Sequence, residues 1–146
     1  MCVLVMAFVA GCGNQLDAPP RVRYGEDACA ECNMLINDSR FAAAFVTEKG
    51  KWFKFDDIGC LIEFRKKFSE PIHRFWVCDY QQEGKWLDAE KAWFVSSEEI
   101  ESPMGYGLAA LQTREDAEAL ARQVKGKVLK FEQLETVIHR PQKHHH

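Results

Sequence analysis

The sequence is short of net charge: 19 Lys and Arg against 22 Asp and Glu leave a formal −3 over 146 residues. No run of Lys or Arg interleaves with aromatics, and a groove that tracks phosphates needs such a basic stripe, so nucleic acid is excluded as a partner. A long apolar run is missing as well. The first eleven residues, MCVLVMAFVAG, carry no charge, yet they fall short of the roughly 20 apolar residues that cross a bilayer. Clustered histidine is absent outside the terminal HHH, which reads as the remnant of a tag; His73 and His139 stand alone. What is present is a globular composition, 47% hydrophobic and 28% charged, with ten Phe and four Trp to fill the core of one domain.

The apolar opening reads as the h-region of an export signal. It runs into VAGC, Val9 to Cys12, which resembles the lipobox of bacterial lipoproteins, where small residues admit the peptidase and the cysteine thiol accepts a diacylglycerol. Residues 1–11 are then a signal segment and residues 12–24 a tether lipidated on Cys12, its polar, Pro-containing GNQLDAPPR holding the domain off a membrane surface. No Lys or Arg precedes the apolar run, so a start upstream of Met1 is an alternative. Gly13 after the cysteine, by resemblance to lipoprotein sorting rules, implies the outer membrane. The competing reading is a buried N-terminal strand with an incidental cysteine. Export leaves Cys29, Cys32, Cys60 and Cys78, too few for a disulfide scaffold, so the core must supply most of the stability.

The domain proper is expected over residues 25–139, with a first half of about 25–80, a second of about 86–139, and a polar tail over 140–146. FAAAFVT and KWFKF predict a hairpin. DDIGCLIEFRKKF predicts a helix capped by Asp56 or Asp57, and RFWVCDY a further strand. WLDAEKAWFV reads as an irregular piece leading into a strand near 92–95. LAALQ predicts a strand, TREDAEALARQVKG a helix with Thr113 as N-cap, Asp116 in a capping box and Gly126 as the stop, KVLKF a strand and EQLETVI a short helix. Gly50–Ile62 and Gly126–Ile138 match in register at Gly, Lys, Lys, Phe and Ile. The fold class expected is therefore α+β: two similar strand-strand-helix-strand units from an apparent tandem duplication, sharing one core.

CAECNM, Cys29 to Met34, sets two thiols and a thioether within six residues. Soft sulfur donors select Cu(I), or Zn(II) where thiolate dominates. Methionine favours copper, because zinc sites are built from Cys, His and carboxylate. In an extended segment Cys32 and Met34 face the same side, whereas Cys29 converges with Cys32 only if the chain turns. PMGYG, Pro103 to Gly107, offers a second methionine loop around Met104.

CAECNM, FDDIGC, WVCDY with WLDAEKAWFV, and SPMGYGLAA, in that order and after a lipobox, resemble the NosL family of copper-binding lipoproteins over about Cys29 to Leu134. The resemblance implies a metallochaperone rather than an enzyme, facing the periplasm, that supplies Cu(I) to a cuproenzyme acceptor, nitrous oxide reductase in that family. It places copper ligands on Cys32 and Met104, with Met34 as an additional or alternative donor and Cys29 in a less defined role. Asn33 stands where other members carry glycine. Two cysteine–methionine edges from separate copies are also able to share an ion, which is the expectation of a metal-bridged homodimer.

The competing readings are specific. Cys29 and Cys32 form a structural disulfide and Met34 and Met104 are core filler; or Cys29 is the nucleophile of a CxxC thiol-disulfide oxidoreductase; or the chain binds zinc. Cys60 and Cys78 are expected in the core, Asp56 and Asp57 at the helix cap, Asp79 and Asp88 in structural roles. His73 is a candidate third copper donor, and Trp52, Trp76, Trp86 and Trp93 are expected in core and hairpin packing.

Overall fold

The structure is a computed structural model and describes residues 15–138. Cys2, Cys12, the signal segment, the first three residues of the tether, His139 and the tail lie outside the described residues. Among the described residues no helix is long and apolar enough to cross a membrane.

The described residues build two antiparallel sheets. In the first, β1 (Ala43–Thr47) is central, flanked by β2 (Trp52–Phe55) and β3 (Ile72–Cys78), with β4 (Trp86–Asp88) on the outer edge of β3. Helix α1 (Ile58–Lys66) connects β2 to β3. In the second sheet, β5 (Trp93–Ser96) is central between β6 (Leu108–Leu111) and β7 (Lys127–Lys130), and helix α2 (Arg114–Val124) connects β6 to β7. A 3₁₀ helix over Phe131–Thr136 follows. Each unit is therefore strand, strand, helix, strand with its first strand in the middle, the α+β class read from the sequence.

The matching segments Gly50–Ile62 and Gly126–Ile138 fall out of phase with this arrangement. They superpose β2 and α1 on β7 and the 3₁₀ helix, whereas the topological counterparts are β2 with β6 and β3 with β7. The WLD segment, read as irregular at the start of the second half, instead pairs with β3, Trp76 opposite Asp88 and Cys78 opposite Trp86.

All five residues of β1 are buried, because a central strand covered on both faces cannot alternate. Phe45 is the hub: its ring lies 5.0 to 5.9 Å from those of Phe53, Phe55, Phe64, Phe68 and Phe75. Burial of such a side chain contributes about 1.5–3 kcal/mol. Phe131 joins the units, 4.9 Å from Phe75 and 6.1 Å from Phe94. The strand LAAL shows why it is apolar throughout. Leu108 and Ala110 enter the core shared with Phe45 and Leu61, while Ala109 and Leu111 pack with Ala117 and Leu120 of α2. Of the four tryptophans only Trp76 is buried; Trp52, Trp86 and Trp93 are half-buried, and Trp93 lies under the cations of Arg114 and Lys130.

Helix α2 begins as expected, the Thr113 hydroxyl accepting from the Asp116 N–H at 3.1 Å. Its end differs. Lys125, not Gly126, adopts the left-handed conformation, φ 53°. Gly126 is needed for closeness instead: a Cβ there would sit 2.7 Å from Val95 Cγ1 and 2.9 Å from the Ser96 carbonyl oxygen.

Candidate metal centre

CAECNM forms a tight turn closed by an antiparallel bridge between Ala28 and Leu35. The Cys29 N–H donates to the Met34 carbonyl at 2.8 Å, and the Asn33 N–H to the Cys29 carbonyl at 3.0 Å. Asn33 is left-handed, φ 62°, a conformation that asparagine tolerates better than most residues with a side chain. The segment is thus a turn, not the extended run that would set Cys32 and Met34 on one side. Cys32 turns inward and is half-buried, while Met34 is 58% exposed beside Leu35. The Ala30 N–H, donating to the Lys54 carbonyl at 2.8 Å, ties the turn to the edge of β2.

Beyond β2 the chain enters α1 through Asp56 and Asp57, and the two carboxylates divide the work. Asp57 is the cap, accepting from the Gly59 N–H at 3.0 Å. Asp56, 2% exposed, points to the turn and accepts from the Cys32 thiol at 3.4 Å. Cys60, four residues beyond Asp56, falls on the same side in the first turn of α1. The ligating atoms of Cys29, Cys32, Asp56 and Cys60 all lie within 4.8 Å of one another.

The three thiols are electrostatically unlike. A hydrogen bond from Cys60, helped by the backbone N–H groups of Cys32, Asp56 and Glu31, brings Cys29 down to about 7 against the cost of its burial. Cys60 is pushed up by that same bond and by burial. Burial pushes Cys32 up to about 12, opposed by the Met34 N–H. Cys78 lies apart in β3 with the core role expected of it; burial raises it to about 12.

The methionine loop meets this assembly at the neighbouring carboxylate. The Met104 N–H donates to Asp57 Oδ2 at 2.9 Å. Burial raises the Asp57 carboxyl above the ordinary range, against hydrogen bonds from the Ser102 hydroxyl and the Met104 and Gly59 N–H groups. Gly105 and Gly107 are both left-handed, and the Gly107 N–H donates to Ser102 Oγ at 3.0 Å. Tyr106 lies on Gly59, where a Cβ would approach its Cγ to 2.0 Å. Met104 itself is half-buried against the core.

The fold therefore brings Cys29 to Cys32, and it brings the loop of Met104 to the residue adjoining Asp56. Cys60 and Asp56 are the members that sequence reasoning assigned elsewhere, Cys60 to the core alone and Asp56 to the cap. No local signal joined them, because Asp56 precedes the Asp57 cap and so lies outside the helix that carries Cys60. His73, the candidate third donor, lies 2.8 Å from Asp17 and belongs to a surface pair. Asp79 and Asp88 accept backbone N–H bonds from Gln81 and Glu90.

An α+β domain of this topology gathers three thiols and a carboxylate beneath the CAECNM turn, a donor set suited to a soft metal ion. The NosL family model matches residues 23–138, and the chain belongs to the NosL family. It is 26% identical over 151 residues to the copper-binding lipoprotein NosL of Stutzerimonas stutzeri, covering 94% of this chain and 80% of that one. Its fold is similar to the crystal structure of the copper chaperone NosL from Shewanella denitrificans, with a TM-score of 0.66 at 22% identity, over 79% of this chain and 96% of that one.

Proposed function

We propose that this chain is a copper-carrying lipoprotein that takes up Cu(I) through the sulfur atoms of Cys32 and Met104 and passes it to a cuproenzyme, without catalysing a reaction itself. The observation that carries the reading is the convergence of two sulfur-bearing loops on adjacent carboxylates: Cys32 at Asp56, 3.4 Å, and the Met104 N–H at Asp57, 2.9 Å. The copper-binding relatives support it. Met34, exposed on the rim of the same turn, is the additional or alternative donor at which an incoming acceptor first meets the ion, and Cys29 supports Cys32 from below.

A sparse thiolate and thioether set suits a carrier. Monovalent copper accepts uncharged sulfur and low coordination, so an acceptor with more donors takes the ion by stepwise ligand exchange. Cys32 holds its proton in the free chain, and binding copper releases it. The acceptor in this reading is nitrous oxide reductase, the site of transfer the periplasmic side of the membrane, and the anchor a lipid on Cys12 in the outer membrane. A metal-bridged homodimer through two Cys32 and Met34 edges is the assembly to look for. The oxidoreductase alternative needs an accessible Cys29 nucleophile, and Cys29 is 1% exposed.

The test is a Cu(I) titration of the reduced chain under a competing chelator. Cys32→Ser and Met104→Leu should each weaken binding at least tenfold; wild-type affinity in both variants would end the proposal. Transfer from the wild-type chain to apo nitrous oxide reductase, followed by recovery of its copper spectrum, tests the acceptor.

A further inference from the structure

The segment read as a tether holding the domain off a surface is in large part packed on the domain. Gln15–Asp17 form a 3₁₀ turn. Leu16 lies over the β1–β2 turn, where a Cβ on Gly50 would sit 3.6 Å from Leu16 Cδ2. The Asp17 carboxylate is held by His73 Nε2 at 2.8 Å and Arg74 Nη2 at 3.4 Å. Pro20 is buried, and Val22 packs on the main core. Slack therefore remains only before Leu16. Three residues separate Cys12 from Leu16, and a fully extended chain of that length spans roughly 14 Å at most.

This short leash leaves the fold at one end of the first sheet. Val46 pairs with Trp52 and Thr47 with Ile72 at that end, while Ala43 pairs with Phe55 and Val77 at the other. The 48–51 turn and Pro71, whose carbonyl accepts from the Glu48 N–H at 3.1 Å, thus form a foot beside Leu16 and Asp17. Asp56 and Cys78 follow the strands at the far end. At about 3.3 Å per residue, the rise from Lys51 to Asp56 sets the metal centre roughly 17 Å from the foot.

The two ends differ in chemistry. Glu48, Lys49, Gly50, Lys51, Pro71 and His73 are exposed at the foot. Among the described residues the large exposed hydrophobics are Tyr24, Met34 and Leu35. All three belong to the far end: Met34 and Leu35 in the CAECNM turn, Tyr24 with its hydroxyl 3.9 Å from Cys78 Sγ. The foot carries Lys49 and Lys51 on either side of Gly50 at its tip, and ammonium groups so placed meet lipid phosphates. Glu48 and Glu70 offset that charge, so the leash supplies the main hold and the lysines the orientation.

We infer that the β1–β2 turn is the face on which this chain rests on a phospholipid bilayer, Lys49 and Lys51 toward the headgroup phosphates, with the metal centre held at the opposite end toward water. The inference rests on the reading of Cys12 as the lipidated residue. Its consequence is that an acceptor reaches Cys32 and Met34 from the aqueous side, and the apolar rim of Tyr24, Met34 and Leu35 is kept out of the lipid.

The experiment acylates lysines of the full lipidated chain on vesicles of phosphatidylethanolamine and phosphatidylglycerol with a water-soluble succinimidyl ester, each site being read by mass spectrometry. The reference is a variant with about ten Gly and Ser residues inserted between Asn14 and Gln15, which adds roughly 17 Å of slack and leaves the docked segment intact. Lys49 and Lys51 should react about threefold or more slowly in the native chain than in the reference. Lys85, next to Trp86, which pairs with Cys78 at the far end, should react equally in both. Leu16→Ser with Asp17→Ala, which undocks the segment, should also speed Lys49 and Lys51. Equal rates at Lys49 and Lys51 in the native and reference chains overturn the inference. So does slowing of Lys85 to the same degree, the result expected if the CAECNM end sat on the bilayer, and so does full protection of Lys49 and Lys51 in the undocked variant. A chain whose mass shows no lipid on Cys12 overturns the anchor reading and this inference together; a lipidated chain that fails the lysine test overturns the inference alone.

Discussion

Gly59 is where the methionine loop is held to the helix that carries Cys60, and adding one methyl group there tests that attachment. A Cβ on residue 59 would lie 2.0 Å from Tyr106 Cγ, 2.4 Å from Cδ2 and 2.5 Å from Cβ. These are the atoms nearest the Tyr106 backbone, so a rotation of the ring cannot clear them and the 103–107 loop must lift. Overpacking of this kind costs about 1–3 kcal/mol, and contacts this short put Gly59→Ala in the upper part of that range. Alanine returns at most about 1 kcal/mol in helix propensity. The net loss is about 1–2 kcal/mol, read as a Tm lowered by roughly 3–10 °C at this chain length. The assay is a double-mutant cycle by thermal or urea denaturation. With Tyr106→Gly in place all three contacts, the Cβ included, are gone, and Gly59→Ala should become neutral or stabilise by up to about 1 kcal/mol, a coupling of about 2 kcal/mol between the two positions. Gly59→Ala alone should also weaken Cu(I) binding, because Met104 rides on the displaced loop. Additive effects of the two substitutions, within about 0.5 kcal/mol, would refute the packing argument.

Two other substitutions probe left-handed backbone. Lys125→Gly should stabilise the domain by about 0.5–1 kcal/mol, since φ 53° is strained for lysine and free for glycine; a lower urea midpoint would count against that geometry. Asn33→Ala should cost about 1–2 kcal/mol and Asn33→Gly close to nothing, again read from urea midpoints; equal effects of the two would show that the CAECNM turn does not depend on φ 62°.

Most elements of the fold were legible because local chemistry and tertiary context agree. The LAAL strand, the Thr113 cap and the FAAAFVT and KWFKF hairpin each carry their pattern within a few residues, and the aromatic content promised one core. The short WLD strand was not legible, since three residues carry no period and its partner β3 is what makes it a strand. The end of α2 misled for a related reason: glycine after a helix is ordinarily the left-handed residue, but here the approach of β5 claims Gly126 and leaves the turn to Lys125.

For the metal centre, CAECNM announced sulfur from its own letters, because thiol and thioether chemistry belongs to the residue whatever surrounds it. Which sulfurs converge is a property of distance. Cys60 is 28 residues from Cys32, and nothing local distinguishes a buried thiol that packs from one that faces two others. The same holds for Asp56 and Asp57, equivalent as letters at the head of a helix; the direction of the chain leaving β2 turned one to the cap and Met104, and the other to Cys32. Residue type and short-range pattern supplied the chemistry. Docking of the turn on the edge of β2 and of the methionine loop on α1 placed it, because contacts between remote segments arise from packing that no local stretch contains.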